Sequence, residues 1–292
     1  MNWQSLFPDP ILSIEELSPG YENHASDVWL VTTIREEVIV RASRLAFQPD
    51  NEIWFGLNDL FHINPRHVHA LAQKNKLLGK LTAIPIPQVL KKVKVDREMV
   101  IVEKLHGTTL RTFCQQPASI LYSLGKGLAE IHRYQEEHFG DPASSSKRHI
   151  RVFHSALAQT MQKMVNRYYQ RDHSFVDHLQ QVVQCLSRLP APASASFVMF
   201  DMDATQFLTD GQGITGLVDT EGYVLAPKEF DFIGLEYVLD RQAAEDFRKG
   251  YETISPIPDL TPCRYPYRFF LRLLTAHGSK DLQQSLDMPE LF

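Results

Sequence analysis

Two aspartates, Asp201 and Asp219, each stand at the end of a short apolar run, FVMF and GLV. Between them the chain reads FLTD, then Gly211, Gln212 and Gly213, then ITGL. Apolar segments on either side of a glycine-containing turn predict a hairpin, which brings the two carboxylates toward one point. Paired acids at the ends of adjacent strands suit a magnesium nucleotide site. Phosphoryl transfer needs one acid to orient the attacking hydroxyl and another to hold the metal, while an amide a few residues after the first completes the metal shell. That place is taken by Gln206. Glutamine is one methylene longer than the asparagine usual in this chemistry, so displaced or weaker metal coordination is expected. Asp203 is a nearby acid able to compensate. The competing explanation is that these aspartates only cap strand ends and turns, as short polar side chains often do.

The elements that must hold these acids follow from hydrophobic period and from cap residues. Residues 11–40 read as a β-meander, in which SDVWLVTTI and VIVR flank a polar REE turn. After Pro49 the period becomes helical: Asp50 or Asn51 caps EIWFGLNDLF, and Asn64 with Pro65 forms an N-cap and first-turn pair for RHVHALAQKNKLLGKL. The prolines of IPIPQVL end that helix. PQVLKKVKV and EMVIVEKL supply two more strands. Beyond Gly107 the pattern is mostly helical, with Leu121, Leu124, Leu128 and Ile131 on one face of residues 120–134. Further helices are expected over 152–169 and 174–189 and in the proline-interrupted tail after Glu229. The expected fold class is α+β with two lobes: a small β-rich lobe over 1–104, and a larger helical lobe over 105–292 that carries the catalytic hairpin and the substrate pocket.

Composition narrows the function classes. With 292 residues, 43% of them hydrophobic, the chain is long enough for sizeable cores. A net charge of -5 with scattered basic residues gives no support for a nucleic-acid or anionic-membrane partner. Cys114, Cys185 and Cys263 are widely spaced and odd in number, which fits a reducing compartment. No run approaches the length of a membrane span, and the N-terminus lacks a signal-peptide pattern, so a cytoplasmic location is expected. Gly125 and Gly127 lack phosphate-loop spacing and lie in a helical pattern, so close helix packing is their expected use. His67 and His69 do not share a helix face, so they are expected at the surface rather than on a metal.

Several of these segments, in order, resemble the aminoglycoside phosphotransferase and choline kinase family, small-molecule kinases with the protein-kinase fold. The likeness spans roughly residues 15–240. Residues 20–31 are similar to the nucleotide-covering loop, VIVRAS to the strand bearing the phosphate-binding base, IVEKLHGTTL to the hinge, and LGKGLAEIH to the helix before the catalytic segment. DMDATQFL, GLVDTEG and EFDF follow in family spacing. The resemblance implies that Asp201 orients the acceptor hydroxyl and, with a carboxyl near about 4, is ionised at neutral pH. It implies that Asp219 and Gln206 bind magnesium, and that Arg41, Ser26, Glu103, Lys104 and Leu105 bind ATP. Asp231 would support the catalytic loop.

Departures from the family pattern are specific. The residues before Asp201 are Met199 and Phe200 where the pattern has His and Gly. The usual acid partner of the strand base is missing from residues 65–80, where Asn75 falls near the expected place and Glu52 is the convenient substitute. Arg41 could otherwise be an edge-strand charge facing water. The tail mixes Asp259, Asp281, Asp287 and Glu290 with Arg264, Arg268, Arg272 and Lys280, so a polycationic antibiotic is not singled out over a sugar or amino alcohol. The expectation is an ATP- and Mg2+-dependent small-molecule kinase. Its alternative is a catalytically impaired pseudokinase acting as a nucleotide- or partner-binding module.

Overall fold

The computed structural model describes residues 2–17, 26–45, 47, 50–278 and 280–292. The first part of the expected nucleotide-covering loop, residues 20–25, lies outside the described residues. The meander is present as β1 (Ile11–Glu16), β2 (Ser26–Thr33) and β3 (Glu37–Ser43). With β4 (Val89–Lys94) and β5 (Glu98–Glu103) it forms an antiparallel five-stranded sheet in the order β1-β2-β3-β5-β4. β3 is therefore central, with Arg41 opposite Val28 on one side and Val100 on the other. One face buries Val31, Val40, Met99 and Ile101 against Leu6 and Phe7. The other packs Val100 and Val102 on Val68 and Leu71, as alternation along strands requires.

Two helices interrupt the sheet, α1 (Glu52–Phe61) and α2 (Leu71–Leu78). Asn51 caps α1 by accepting the Trp54 N–H at 3.1 Å, as expected. Asn64 does not cap α2: its Oδ1 accepts the Arg66 N–H at 3.0 Å in a local turn. Such a side-chain bond offers the backbone an alternative to helix, and α2 starts only after a 3-10 turn at Val68–Ala70.

The remainder holds the short strand β6 (Thr108–Thr109), then α3 (Ala118–His132), a small ladder of β7 (His138–Phe139) with β8 (Arg148–His149), α4 (Phe153–Met164) and α5 (His173–Arg188). The expected helix over 152–169 is α4 prolonged by a wider π turn at Val165–Tyr169. β9 (Ser196–Met199), β10 (Phe207–Thr209), β11 (Ile214–Leu217) and β12 (Tyr223–Ala226) follow, then α6 (Glu229–Val238), α7 (Arg241–Tyr251), α8 (Arg264–Leu274) and α9 (Leu282–Leu286). Leu57, Leu60 and Phe61 of α1 are buried in this larger core, so α1 packs with α4 and α8 although it precedes two strands of the sheet.

α3 and α7 approach so closely that a Cβ on Gly125 would strike the Phe247 carbonyl, and one on Gly250 the Tyr122 carbonyl. Helix packing is thus the role of these glycines. The chain has the α+β, two-lobed, kinase-like architecture. Among the described residues no helix is long and apolar enough to cross a membrane.

Candidate active site

The predicted hairpin forms between β10 and β11. Asp210 Oδ1 accepts the N–H groups of Gln212 and Gly213 at 2.8 and 3.0 Å, and Gly211 takes a positive φ of 87° that closes the turn. β9 pairs instead with β12, with Met199 opposite Tyr223. Asp201 leaves the end of β9 and Asp219 the end of β11, near enough for the charge of Asp219 to act on Asp201.

Asp201 sits at the rim of the cleft with its own surface exposed. Loss of surrounding water, then the charges of Asp203 and Asp219, push its carboxyl up to about 7. This corrects the expectation of an ordinary carboxyl near 4: at neutral pH the group is poised between its two forms. Asp203 is committed locally, because its Oδ1 accepts both the N–H and the hydroxyl of Thr205 at 2.7 Å.

Gln206 closes the 3-10 turn Ala204–Gln206. Its Nε2 donates to the Asp201 carbonyl at 2.9 Å, and its own carbonyl accepts the Val218 N–H at 2.8 Å, tying together the backbones that lead to both aspartates. Its Oε1 is buried and has no hydrogen-bond partner among the described residues. A buried amide oxygen left over in this way fits a hard cation, and Asp219 offers a half-open carboxylate for the same purpose. Among the described residues no three His, Cys, Asp or Glu side chains converge as a cage. An amide oxygen beside a carboxylate is a donor set that a hard ion such as magnesium would accept, with phosphate and water filling the rest of its shell.

Arg41 is 8% exposed and reaches into the cleft from the central strand, so it is not a solvated edge charge. Its Nη2 lies 2.6 Å from Asp219 Oδ1 and 2.6 Å from Glu221 Oε2. Burial disfavours the Arg41 charge, and the two acids more than restore it. Asp219 and Glu221 share one guanidinium: desolvation works against both, Arg41 holds the Asp219 carboxyl below its usual range, and burial with the Asp219 charge beside it raises Glu221. Glu52 does not take part: it lies in the first turn of α1, with the helices of the larger lobe. Ser26 enters through Glu221, donating to its Oε1 at 3.3 Å. Asp219 itself adopts φ 60° and ψ 46°, a left-handed conformation costly for a non-glycine residue and frequent at working sites.

Two residues of α2 complete the arrangement. Lys74 is buried, and its Nζ donates to the Glu221 carbonyl at 2.6 Å and lies 3.6 Å from Asp141 Oδ1. Asn75 Oδ1 accepts the Thr220 hydroxyl while its Nδ2 donates to the Pro87 carbonyl at 2.7 Å. Glu221 and Lys74 had been given no part from sequence. A signal existed: Leu71, Lys74, Asn75 and Leu78 share one helix face, so two polar residues stand on a stripe whose other members are core.

A cavity of about 260 Å³ opens beside this network. Val28, Ile39, Val102 and Leu208 give it apolar walls, Glu103, Lys104 and Leu105 run along it, and Arg41 and Asp219 lie on its lining. The Glu103 N–H is already given to the Gln88 carbonyl at 2.9 Å, and the Lys104 ammonium pairs with Glu37. Beneath the site Asp231, fully buried in the first turn of α6, accepts the Met199 N–H at 2.8 Å through Oδ1. Its Oδ2 lies 3.0 Å from His132 Nε2, and His132 Nδ1 lies 3.0 Å from the Tyr251 hydroxyl.

A small sheet joined to a helical lobe, with one acid after β9, another after β11 and a buried base on the central strand β3, defines a kinase-like phosphotransferase. The profile of the phosphotransferase enzyme family matches residues 13–264, and the chain belongs to that family, whose enzymes are small-molecule kinases. No curated protein matches the chain in sequence. Among solved structures, the GDP complex of an aminoglycoside 2'-phosphotransferase-IIIa variant is similar with a TM-score of 0.64 and 16% identity, covering 97% of this chain and 88% of that one. A ternary complex of a thermostable aminoglycoside phosphotransferase APH(4)-Ia variant with AMP-PNP and hygromycin B gives 0.61 and 16%, covering 90% and 84%. The macrolide 2'-phosphotransferase MphH from Brachybacterium faecium gives 0.59 and 11%, covering 95% and 93%. At such identities the likeness is one of fold.

Proposed function

We infer that this protein transfers the γ-phosphate of ATP, with magnesium, to a hydroxyl of a small molecule. The observation that carries this reading is the convergence of Arg41, Asp219 and the hinge residues Glu103, Lys104 and Leu105 on one apolar-walled cavity. The apolar walls suit a flat base, and the hinge backbone along Glu103, Lys104 and Leu105 would meet its polar edge. Arg41 neutralises phosphate charge with a planar pair of donors. Asp219 and Gln206 Oε1 hold the metal. Magnesium there would supply charge neutralisation at the terminal phosphates. Asp201 accepts a hydrogen bond from the acceptor hydroxyl and aims it in line, and Asp231 and His132 fix the backbone that carries Asp201. Three unpaired cysteines support a reducing, cytoplasmic setting.

A non-catalytic nucleotide-binding module is the second reading, favoured by the raised carboxyl of Asp201 and by glutamine at position 206. Nucleotide affinity and nucleotide consumption, with and without Mg2+ and across a panel of hydroxylated metabolites, separate the two. Asp201→Ala should retain affinity and lose at least about 100-fold in turnover. Asp219→Ala should lose the Mg2+-dependent part of binding. Turnover in either variant at the wild-type rate sinks the assignment, and binding with no acceptor-dependent turnover establishes the module.

A further inference from the structure

We propose that the ion pair which orients the phosphate-binding base has been rewired in this chain: Glu221 is the positioning residue for Arg41, and Lys74 of α2 fixes Glu221. This rests on the phosphotransferase reading above. The charges are exchanged relative to a helix acid that reaches up to a strand base. The helix facing the sheet has no acid to give, since Leu71, Lys74, Asn75 and Leu78 form its buried face. The acid comes instead from the far side of the cleft, two residues beyond Asp219. Lys74 holds the Glu221 main chain at 2.6 Å, Ser26 reaches the other carboxylate oxygen, and Asn75 secures Thr220 between the two acids.

The consequence concerns Asp219. Its Oδ1 is spent on Arg41 at 2.6 Å, yet the same carboxylate is the one placed to bind metal. For Asp219 to turn toward the metal, Arg41 must keep another counter-ion, because a guanidinium buried without a carboxylate costs several kcal/mol in general. Glu221 is that resident partner, also at 2.6 Å and only 15% exposed, and it gains negative charge as Asp219, whose own charge helps raise its carboxyl, turns away. With it in place, Asp219 is free to exchange Arg41 for metal, and Arg41 is free to meet phosphate without moving.

The deciding quantity is the ratio of nucleotide affinities with and without Mg2+, measured with a fluorescent ATP analogue and no acceptor, alongside the melting temperature. Glu221→Gln should keep metal-free affinity within about twofold and reduce the Mg2+ enhancement at least about tenfold, because Asp219 then stays on Arg41. Lys74→Met should do the same to a smaller extent. Glu221→Asp keeps the charge but draws it back, and should fall between wild type and Glu221→Gln; it decides the matter by the same ratio if Glu221→Gln does not fold. An unchanged Mg2+ enhancement in folded Glu221→Gln or Glu221→Asp overturns the proposal and leaves the phosphotransferase reading standing. Equal losses with and without Mg2+ also overturn it, since they mark a merely structural role. Wild type that binds no nucleotide under either condition overturns both.

Discussion

At the scale of single residues, Asp201 carries opposed demands. To orient a hydroxyl it must be ionised, yet its surroundings push its carboxyl up to about 7. An aspartate whose folded pKa is raised above its unfolded value of about 3.9 contributes stability that is complete below that value. The contribution is lost as pH rises through about 7, because ionised Asp201 is less welcome in the fold than in the unfolded chain. Asp201→Asn cannot ionise, so its melting temperature should match wild type near pH 4 and exceed it near pH 8, by a margin that water at the exposed carboxyl keeps small. The wild-type turnover should rise with pH through the same interval. A flat difference in melting temperature from pH 4 to pH 8 would remove the assigned environment. The two acids were legible in sequence because apolar runs and a glycine turn mark strand ends locally. The partner of Arg41 was not, since Glu221 lies 180 positions away along the chain and a lysine 147 positions from Glu221 secures it. Local chemistry misled at Asn64, whose side chain closes a turn of its own in place of a cap.

At the scale of elements, the site depends on how tightly α3 meets α7. α3 bears His132 at its end, and His132 holds Asp231, which in turn holds the Met199 N–H just before the catalytic segment. Gly125 and Gly250 permit that approach because the atoms facing them are backbone carbonyls, which cannot move aside as a side-chain tip can. Gly125→Ala and Gly250→Ala should therefore each destabilise by about 1–3 kcal/mol or more in denaturant titration. Gly222→Ala is the contrast, with nothing within 4 Å of the added methyl, and should change stability by less than about 1 kcal/mol. Equal stability of all three variants would show that the helices have room to separate. The helical pattern around Gly125 and Gly127 pointed to close helix packing, which Gly125 bears out, but not to the partner. That Gly125 faces α7, far along the chain, while Gly127 faces Ile84, depends on tertiary approach and has no local signature.

At the scale of the whole molecule, many charges that invite a functional interpretation are already used by the fold. Glu236, fully buried, takes Arg268 at 2.7 Å and Arg264 at 3.4 Å, and Arg264 also reaches Glu290 at 3.0 Å. Arg272 donates to the Lys280 carbonyl. The mixed charge of the tail thus reports on internal packing and gives no indication of acceptor charge. What remains open toward the cleft is the site between sheet and helices, where Arg41 comes from β3, Asp219 follows β11, and α2 holds the residues after Asp219, Lys74 meeting Glu221 and Asn75 meeting Thr220. A ligand bound there contacts both lobes and must stabilise them together. At a nucleotide concentration of 100 times its Kd, the gain is about 2.7 kcal/mol. For a chain of this size that corresponds to a rise of about 5–10 °C in melting temperature. Magnesium alone should give almost none of it. On the proposed assignment the protein offers it one carboxylate and one amide oxygen, and a small ion that dehydrates reluctantly needs phosphate oxygens to complete its shell. Thermal melts with Mg2+ alone, ATP alone and both together should therefore show a combined shift larger than the sum of the separate ones. Asp219→Asn should reduce the combined shift to that of ATP alone. A full shift from Mg2+ without nucleotide would place the metal in some other site and separate it from Asp219 and Gln206.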